Sequence, residues 1–85
     1  MQKLSDMPNI GSVAERELMA VGICTPQELK ATGSRQAWLR LRAVDASACV
    51  HKLMALEGAV RGVRRHLLPP EVKDELRAFA KAHKQ

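Results

Sequence analysis

At 85 residues the chain has the length of one domain, and it buries only about 60–65% of the surface that its unfolded form exposes, which leaves no room for a large active-site cleft. Its hydrophobic fraction of 46% is typical of a globular chain, and with Trp38 and Phe79 as the only aromatic residues a base-stacking platform is not expected. The net charge of +5 permits an acidic or nucleic-acid partner without requiring one.

Composition and the first helical signal predict an all-α protein. Ala, Leu and Met together number 26, against 13 for Val, Ile, Thr, Phe and Trp, so helix-favouring residues dominate. Ser12, with Glu15 three residues later, has the form of a capping box. The first helix is therefore predicted over residues 12–20.

Two further helices follow, separated by a glycine. Thr25 and Glu28 match a second capping box, with Pro26 at the first helical position, where its missing N–H costs nothing. Gly33 fits the left-handed position at the end of this helix, and Ser34 can cap the next one. The third helix is predicted to bury a stripe formed by Trp38, Leu41 and Val44.

A central helix and a last helix complete the predicted elements. The apolar stripe of the central helix consists of Val50, Leu53, Leu56, Val60 and Val63. Gly58 and Gly62 weaken it, and each either permits close approach of a neighbouring helix or terminates the segment. After a break at Pro69, the last helix starts at Pro70. Its stripe consists of Val72, Leu76, Phe79 and Ala80.

These signals predict an all-α, compact bundle of about five short helices in a single domain over residues 4–82, with frayed termini at 1–3 and 83–85. No apolar run approaches the length of a membrane span, and no secretory signal precedes the cysteines. We therefore expect a cytoplasmic protein without a membrane partner, in which Cys24 and Cys49 remain reduced.

Short motifs along almost the whole chain carry a family resemblance. In chain order they are Met7-Pro8-Asn9-Ile10-Gly11, Val21-Gly22-Ile23, Thr25-Pro26, Glu28-Leu29, Leu39-Arg40-Leu41, segment 53–62, Leu68-Pro69-Pro70-Glu71-Val72 and segment 75–80. Together, over residues 4–80, they resemble the C-terminal domain of the TfoX/Sxy competence-regulator family, stand-alone in this chain. The resemblance implies a SAM-like or helix-hairpin-helix-like fold and a role in natural competence and its transcriptional control.

The resemblance implies that full-length relatives also carry an N-terminal α+β domain, and we expect this chain to be without it. The resemblance therefore implies a protein partner that supplies the missing N-terminal domain, or a module that has taken up another task. A homodimer is a further expectation, based on the small core and on the four-residue spacing of Gly58 and Gly62.

The hairpin-like turn is the first candidate site. The backbone amides of Asn9, Ile10, Gly11 and Ser12 lie where a helix-hairpin-helix unit grips a phosphate at a helix N-terminus. Two residues after the glycine, however, the position that is often basic in such hairpins holds Val13, and the carboxylates of Glu15 and Glu17 follow. The alternative is that residues 9–11 make a turn that packs Ile10 inward.

Arginine side chains in the middle of the chain form the second candidate site. Residues 34–68 carry seven of the 14 basic and two of the nine acidic side chains. A basic face could contact DNA phosphates or an acidic protein without reading sequence; the alternative is a solvated surface. Its candidate contacts are Arg35, Arg40, Arg42, Arg61, Arg64 and Arg65, with His66 beside the last two.

Enzyme chemistry has little support in the sequence, and we expect no catalytic, cofactor-binding or metal-binding residues. Cys49 and His51 are two residues apart, so they point in different directions on a helix. The simpler interpretation makes Cys49 a small buried hydrophobe and His51 a surface residue. Glu57 is expected to be a rim carboxylate paired with an arginine, and Trp38 and Phe79 are expected in the core.

The leading hypothesis is a non-enzymatic regulatory binding module that contacts DNA through a basic face. The alternative is a protein-interaction or dimerisation module without DNA binding. Salt dependence separates them, because phosphate contacts lose affinity steeply as salt rises.

Overall fold

A computed structural model describes residues 3–83 and shows five α helices linked by short turns. In chain order the elements are a 3-10 turn at Leu4–Asp6, α1 at Ser12–Ala20, α2 at Pro26–Thr32, α3 at Ser34–Val44, α4 at Val50–Arg61, a 3-10 turn at Arg65–Leu67 and α5 at Pro70–Ala82. Residues 3–83 contain no strand, so the predicted all-α class and number of helices are confirmed. Of the termini expected to fray, 1–3 and 83–85, residues 1–2 and 84–85 lie outside the described residues.

Helix α4 lies at the centre of the molecule. It packs against α2, α3 and α5 and against the 3-10 turn that follows it. Its buried residues cover more than one face, which is the pattern of a helix surrounded by others. The fully buried side chains around it come from every other helix and from the N-terminal turn: Leu4, Leu18, Leu29, Trp38 and Leu76. None of the helices in residues 3–83 combines the length and the apolarity needed to cross a bilayer.

The predicted start of α2 is confirmed, although only one of the two hydrogen bonds of a capping box forms: the Glu28 carboxylate accepts from the Thr25 hydroxyl at 3.3 Å rather than from the Thr25 amide. The Thr25 hydroxyl oxygen accepts a hydrogen bond from the Glu28 amide at 3.1 Å, and Pro26 opens the helix. Gly33 then ends α2 with φ of 84°, a value that an L side chain rarely adopts. Local sequence alone is sufficient here, because every group involved lies within a few residues.

The predicted caps of α1 and α3 are wrong in the same way. In both helices the glycine before the serine is the cap, and the serine is already the first helical residue. The Glu15 carboxylate, expected to close a capping box, instead accepts from the Ser5 amide at 3.2 Å. The Ser34 hydroxyl donates to Glu57 on α4. In both cases a tertiary partner competes successfully with the local cap.

The apolar stripes are confirmed except at their ends. Trp38 and Leu41 are buried, but Val44 is 73% exposed. It is the last residue of α3 and is followed by the exposed turn at 45–47, so no neighbouring element covers it. In α4, Gly62 adopts the left-handed conformation (φ 77°, ψ 27°) and ends the helix before Val63.

Candidate functional site

The side chain of Asn9 joins the N-terminal turn to the end of α4. Asn9 itself has a positive φ of 69°. Its Nδ2 donates to the carbonyl oxygens of Ala55 at 3.3 Å and Val63 at 3.0 Å, and its Oδ1 accepts from the Arg65 amide at 3.2 Å. Three hydrogen bonds spanning more than 45 residues of sequence therefore hold the hairpin-like turn against the 62–65 turn.

Gly58 makes this junction possible. A Cβ atom at position 58 would lie 2.5 Å from Asn9 Nδ2 and 2.6 Å from the Val63 carbonyl oxygen, closer than real Cβ contacts. The predicted benefit of Gly58, close approach of a neighbouring chain segment, is therefore real. The expectation that a helix makes the approach is wrong: a turn and a backbone carbonyl do.

The junction creates an open concavity beside the N-terminus of α1. Its walls are residues 5–11 and Arg64, and its volume is about 560 Å³. Gly11 caps α1 without a side-chain hydrogen bond, and Gly11, Ser12 and Val13 are all exposed. The first amides of a helix have no intrahelical acceptor and lie at the positive end of the helix dipole. Gly11, at the start of α1, and Arg64 are both part of the lining of this concavity.

Two of the predicted hairpin residues have structural roles. Ile10 is 5% exposed, and its amide donates to the Met7 carbonyl oxygen at 3.3 Å. The inward packing of Ile10 that we considered as the alternative is therefore what the structure shows. Asn9 is engaged through its side chain rather than through its backbone. Gly11 and Ser12 remain as the exposed part of the predicted hairpin contact.

The acidic residues near the hairpin are partly compensated. Glu17 forms an ion pair with Lys52 on α4, and both side chains are about one-third exposed (30% and 29%). The Glu15 carboxylate accepts from the Ser5 amide, and Asp6, which lines the concavity, accepts from the Lys3 amide at 2.9 Å. The surface is therefore more favourable to an anion on its Arg64 side than on its Asp6 side.

The six predicted arginine contacts differ in whether they are already engaged within the molecule. Arg35 pairs with Glu75 at 3.7 Å and stacks over Phe79, while Arg42 stacks over Trp38 and donates to the His83 carbonyl oxygen at 2.7 Å. Arg61 pairs with Glu57. Among residues 3–83, the arginines of the predicted set that are exposed and form no ion pair are Arg40, Arg64 and Arg65. The contact role of all six stays a prediction.

Glu57 is the rim carboxylate that the sequence predicts. Its side chain is 14% exposed, it accepts from the Ser34 hydroxyl, and it pairs with Arg61 one turn along α4. Burial raises the pKa of Glu57, but the Ser34 hydroxyl and Arg61 together outweigh burial, so the pKa lies below its ordinary value. Glu57 therefore joins α3 to α4 as a charged group.

This pairing predicts a pH-dependent contribution to stability. Because the folded pKa of Glu57 is lowered, its contribution is present above the unfolded pKa of about 4.3 and is lost as pH falls through the folded value. We expect Glu57→Gln to be less stable than the wild type at neutral pH, and the difference to vanish in acid. Urea unfolding at about pH 7 and about pH 3 measures this.

Glu71→Gln, at an exposed position, is the control for loss of one negative charge. A Glu57→Gln variant that is as stable as the wild type at neutral pH would show that the Ser34 and Arg61 contacts contribute nothing net.

The cysteines and aromatic residues depart from the predictions at one position. Cys24 and Cys49 are both free thiols and both exposed, so the expectation of a buried Cys49 is wrong. Cys49 precedes α4, and its carbonyl oxygen accepts from the Trp38 indole N–H at 3.0 Å.

The other residues considered for chemistry are His51 and the two aromatic residues. His51 is exposed as expected. Trp38 packs edge-on against half-buried Phe79, with 6.1 Å between the ring centroids. In residues 3–83 no three His, Cys, Asp or Glu side chains are grouped to hold a metal ion.

A second concavity was not predicted from the sequence. It lies between the end of α3, the start of α4 and α5, with Trp38 at its base and Arg77 and Lys81 at its edge. The spacing of Arg77 and Lys81 places them on one face of α5, which is the one signal that the sequence offers. The walls opposite them come from residues about 30–40 positions earlier in the chain, which no local pattern connects to α5.

Fold and site together define a small all-α module with an N-terminal turn attached to its central helix and a basic edge beside that turn. The chain belongs to the TfoX C-terminal domain family, whose model matches residues 1–80. It is 34% identical over 79 residues to protein Sxy of Escherichia coli (strain K12), a match that covers 93% of this chain and 38% of the length of Sxy.

Two crystal structures of proteins from Listeria monocytogenes share the fold. One, described as an uncharacterized protein in a triclinic form, is 48% identical, with a TM-score of 0.94 over 95% of this chain and 92% of that one. The other, a protein of unknown function in a tetragonal form, is 49% identical, with a TM-score of 0.90 over 93% and 96%. These likenesses extend the described fold to chains of nearly the same length.

Proposed function

We propose that this domain is a non-enzymatic regulatory binding module of competence-linked or transcription-linked control in the cytoplasm, and that it contacts the phosphate backbone of DNA. The observation that carries the proposal is the Asn9 junction. Beside it, Gly11 at the start of α1 and Arg64 line the same concavity, which supports an anion contact there. Family membership supports the regulatory role, and the site supports the DNA contact.

The contact surface that we propose consists of Gly11, Ser12, Arg64 and Arg65, with Arg61 at its border. Amides at a helix N-terminus and arginine side chains both bind phosphate oxygens. Arg61 contributes less because Glu57 already pairs with it. Phosphate contacts position a protein on DNA but do not read bases, so we expect binding without sequence preference.

The experiment is a fluorescence-anisotropy titration of labelled duplex DNA between about 50 mM and about 200 mM salt. The wild type is compared with Arg64→Ala/Arg65→Ala. Each phosphate contact contributes about 0.9 to the slope of log affinity against log salt, so the double variant is expected to lower that slope by about 2 and to bind more weakly at both concentrations.

Arg77→Ala/Lys81→Ala is the matched control, since it removes the same net charge from exposed positions on α5. It is expected to keep most of the salt slope. Equal losses in the two variants would show that DNA is attracted by overall charge rather than by this surface. Absence of binding at about 50 mM salt would contradict the proposed DNA contact.

A protein-interaction or dimerisation module is the second candidate function. Within residues 3–83, four large hydrophobic side chains are at least half exposed: Val13, Met19, Val44 and Leu67. A partner would correspond to the remainder of a longer Sxy-like protein, or to a second copy of this chain. The argument for dimerisation from the spacing of Gly58 and Gly62 is removed, because Gly58 accommodates Asn9 and Gly62 ends α4. Sedimentation velocity over a range of concentrations tests for the second copy.

A further inference from the structure

A groove with an apolar floor lies between the C-terminal end of α3, the N-terminal end of α4 and the middle of α5. Its volume is about 520 Å³, within the range of ligand-binding clefts. The indole N–H of Trp38 is satisfied by the Cys49 carbonyl oxygen at 3.0 Å, so Trp38 needs no polar partner from a ligand. The apolar floor consists of Trp38, Ala48, Val50 and Ala80.

The charged edge of this groove is entirely cationic. Of the described residues that line it, Arg42, Arg77 and Lys81 carry charge and none is acidic. Arg42 is held in place by stacking at 5.0 Å over the Trp38 ring and by its bond to the His83 carbonyl oxygen. Arg77 pairs with Asp74 at 3.0 Å, but both side chains are more than half exposed, so water weakens that pair and a stronger acceptor can replace it.

We propose that this groove binds an acidic amphipathic segment of a protein partner, with apolar side chains on the floor and carboxylates against Arg42, Arg77 and Lys81. An apolar floor favours leucine or phenylalanine side chains over the sugar and phosphate of a nucleic acid. A uniformly cationic edge selects carboxylates over lysine or arginine. Charge complementarity thus identifies the chemistry of the occupant.

The groove is separate from the proposed DNA-contacting surface. It lies at the first residue of α4, Val50, whereas the Asn9 junction lies at the end of this 12-residue helix. A rise of about 1.5 Å per residue puts Gly58, which contacts Asn9, roughly 12 Å from Val50 along the helix axis, and Arg64 and Arg65 lie beyond the end of the helix. The groove proposal therefore goes beyond the DNA contact and does not depend on it, and the two partners can bind at the same time.

Two groups in the molecule report on the groove directly. Trp38 is the only tryptophan and lies at the base, and the exposed Cys49 lines the wall. Cys24 is also exposed but belongs to the turn between α1 and α2, so it serves as an internal reference. The probe is a capped peptide of about 14 residues with leucines at helical spacing and glutamates elsewhere; its partner control carries lysine in place of every glutamate.

Saturable binding of the glutamate peptide is expected to change Trp38 fluorescence and to slow alkylation of Cys49 but not of Cys24. Arg77→Glu/Lys81→Glu is expected to weaken binding at least about tenfold, since two attractive charges become repulsive. Arg64→Glu/Arg65→Glu, at the other end of α4, is expected to leave it unchanged. Circular dichroism of each variant confirms the helical fold.

Three outcomes would overturn the proposal. The lysine peptide could bind as well as the glutamate peptide, which would remove charge selection. Cys49 could stay fully reactive at saturating peptide, which would place the peptide elsewhere. Cys49 could be protected by raising the concentration of the protein alone, which would show that a second copy of this chain is the occupant.

Discussion

Replacing Asn9 with alanine is expected to lower the free energy of unfolding by about 2–4 kcal/mol. The change strips a hydrogen-bond donor from the Ala55 and Val63 carbonyl oxygens and an acceptor from the Arg65 amide. It also forces an alanine into a positive φ, which costs roughly 1 kcal/mol that asparagine largely avoids. The thermal midpoint should fall by about 10–20 °C in a calorimetric scan of a domain of this size.

Asn9→Gly separates the two causes. Glycine tolerates the positive φ but offers no side chain. The Asn9→Gly variant should therefore lose less stability than Asn9→Ala, and the difference should equal the cost of holding alanine at a positive φ. Asn9→Asp retains an acceptor for the Arg65 amide but sets a carboxylate oxygen against the Ala55 and Val63 carbonyl oxygens, so we expect a loss at least as large as that of Asn9→Ala. If all three variants unfold within about 0.5 kcal/mol of the wild type, the junction is not a stabilising contact.

Gly58→Ala is the second substitution with a large expected effect, a loss of about 2–3 kcal/mol. Alanine raises helix propensity by about 1 kcal/mol, so propensity alone predicts stabilisation. The new Cβ would meet Asn9 Nδ2 at 2.5 Å and the Val63 carbonyl oxygen at 2.6 Å. One of these partners is backbone and cannot swing away, so overpacking outweighs propensity. Urea unfolding of the two proteins measures the sign directly.

Gly11→Ala is the control for a glycine with open space, since no atom lies within 4 Å of its added Cβ and its φ is −95°. Its cost should not exceed about 1 kcal/mol, the value of a cap position. A double-mutant cycle adds a sharper test: Gly58→Ala should cost less in the Asn9→Gly background, because one of the two clashing atoms is gone. Equal costs in both backgrounds would contradict the direct contact.

Both effects bear on function as well as on stability. The Asn9 junction brings the start of α1 and Arg64 to one concavity, so Asn9→Gly should weaken DNA binding in protein that is still folded. The groove at the other end of α4 has no contact with Asn9, and the glutamate peptide should bind the same variant normally. The two interfaces can therefore be tested independently.

The helices of this fold can largely be predicted from local sequence. Thr25 and Pro26 begin α2, and Gly33 and Gly62 end α2 and α4. They act through hydrogen bonds and dihedral angles within a few residues, so these helix starts and ends can be predicted from neighbouring residues alone. The stripes containing Trp38, Leu53 and Leu76 follow from helical spacing, and all three residues are buried. Local prediction failed for the caps at Ser12 and Ser34 and for the burial of Val44. Contacts between distant residues replaced the predicted caps, and no neighbouring element covers Val44.

The site required the tertiary structure. Its six predicted arginines lie in one basic stretch of sequence, but ion pairs with Glu57 and Glu75 and stacking on Trp38 already engage three of them. No spacing rule connects Asn9 to Arg65, or Trp38 to Lys81, because those contacts depend on how helices cross rather than on how they repeat. The sequence by itself determined the helices, their apolar faces and the family. Only the packing of the other elements around α4 decided which charged side chains are paired, which are unpaired, and where the two concavities open.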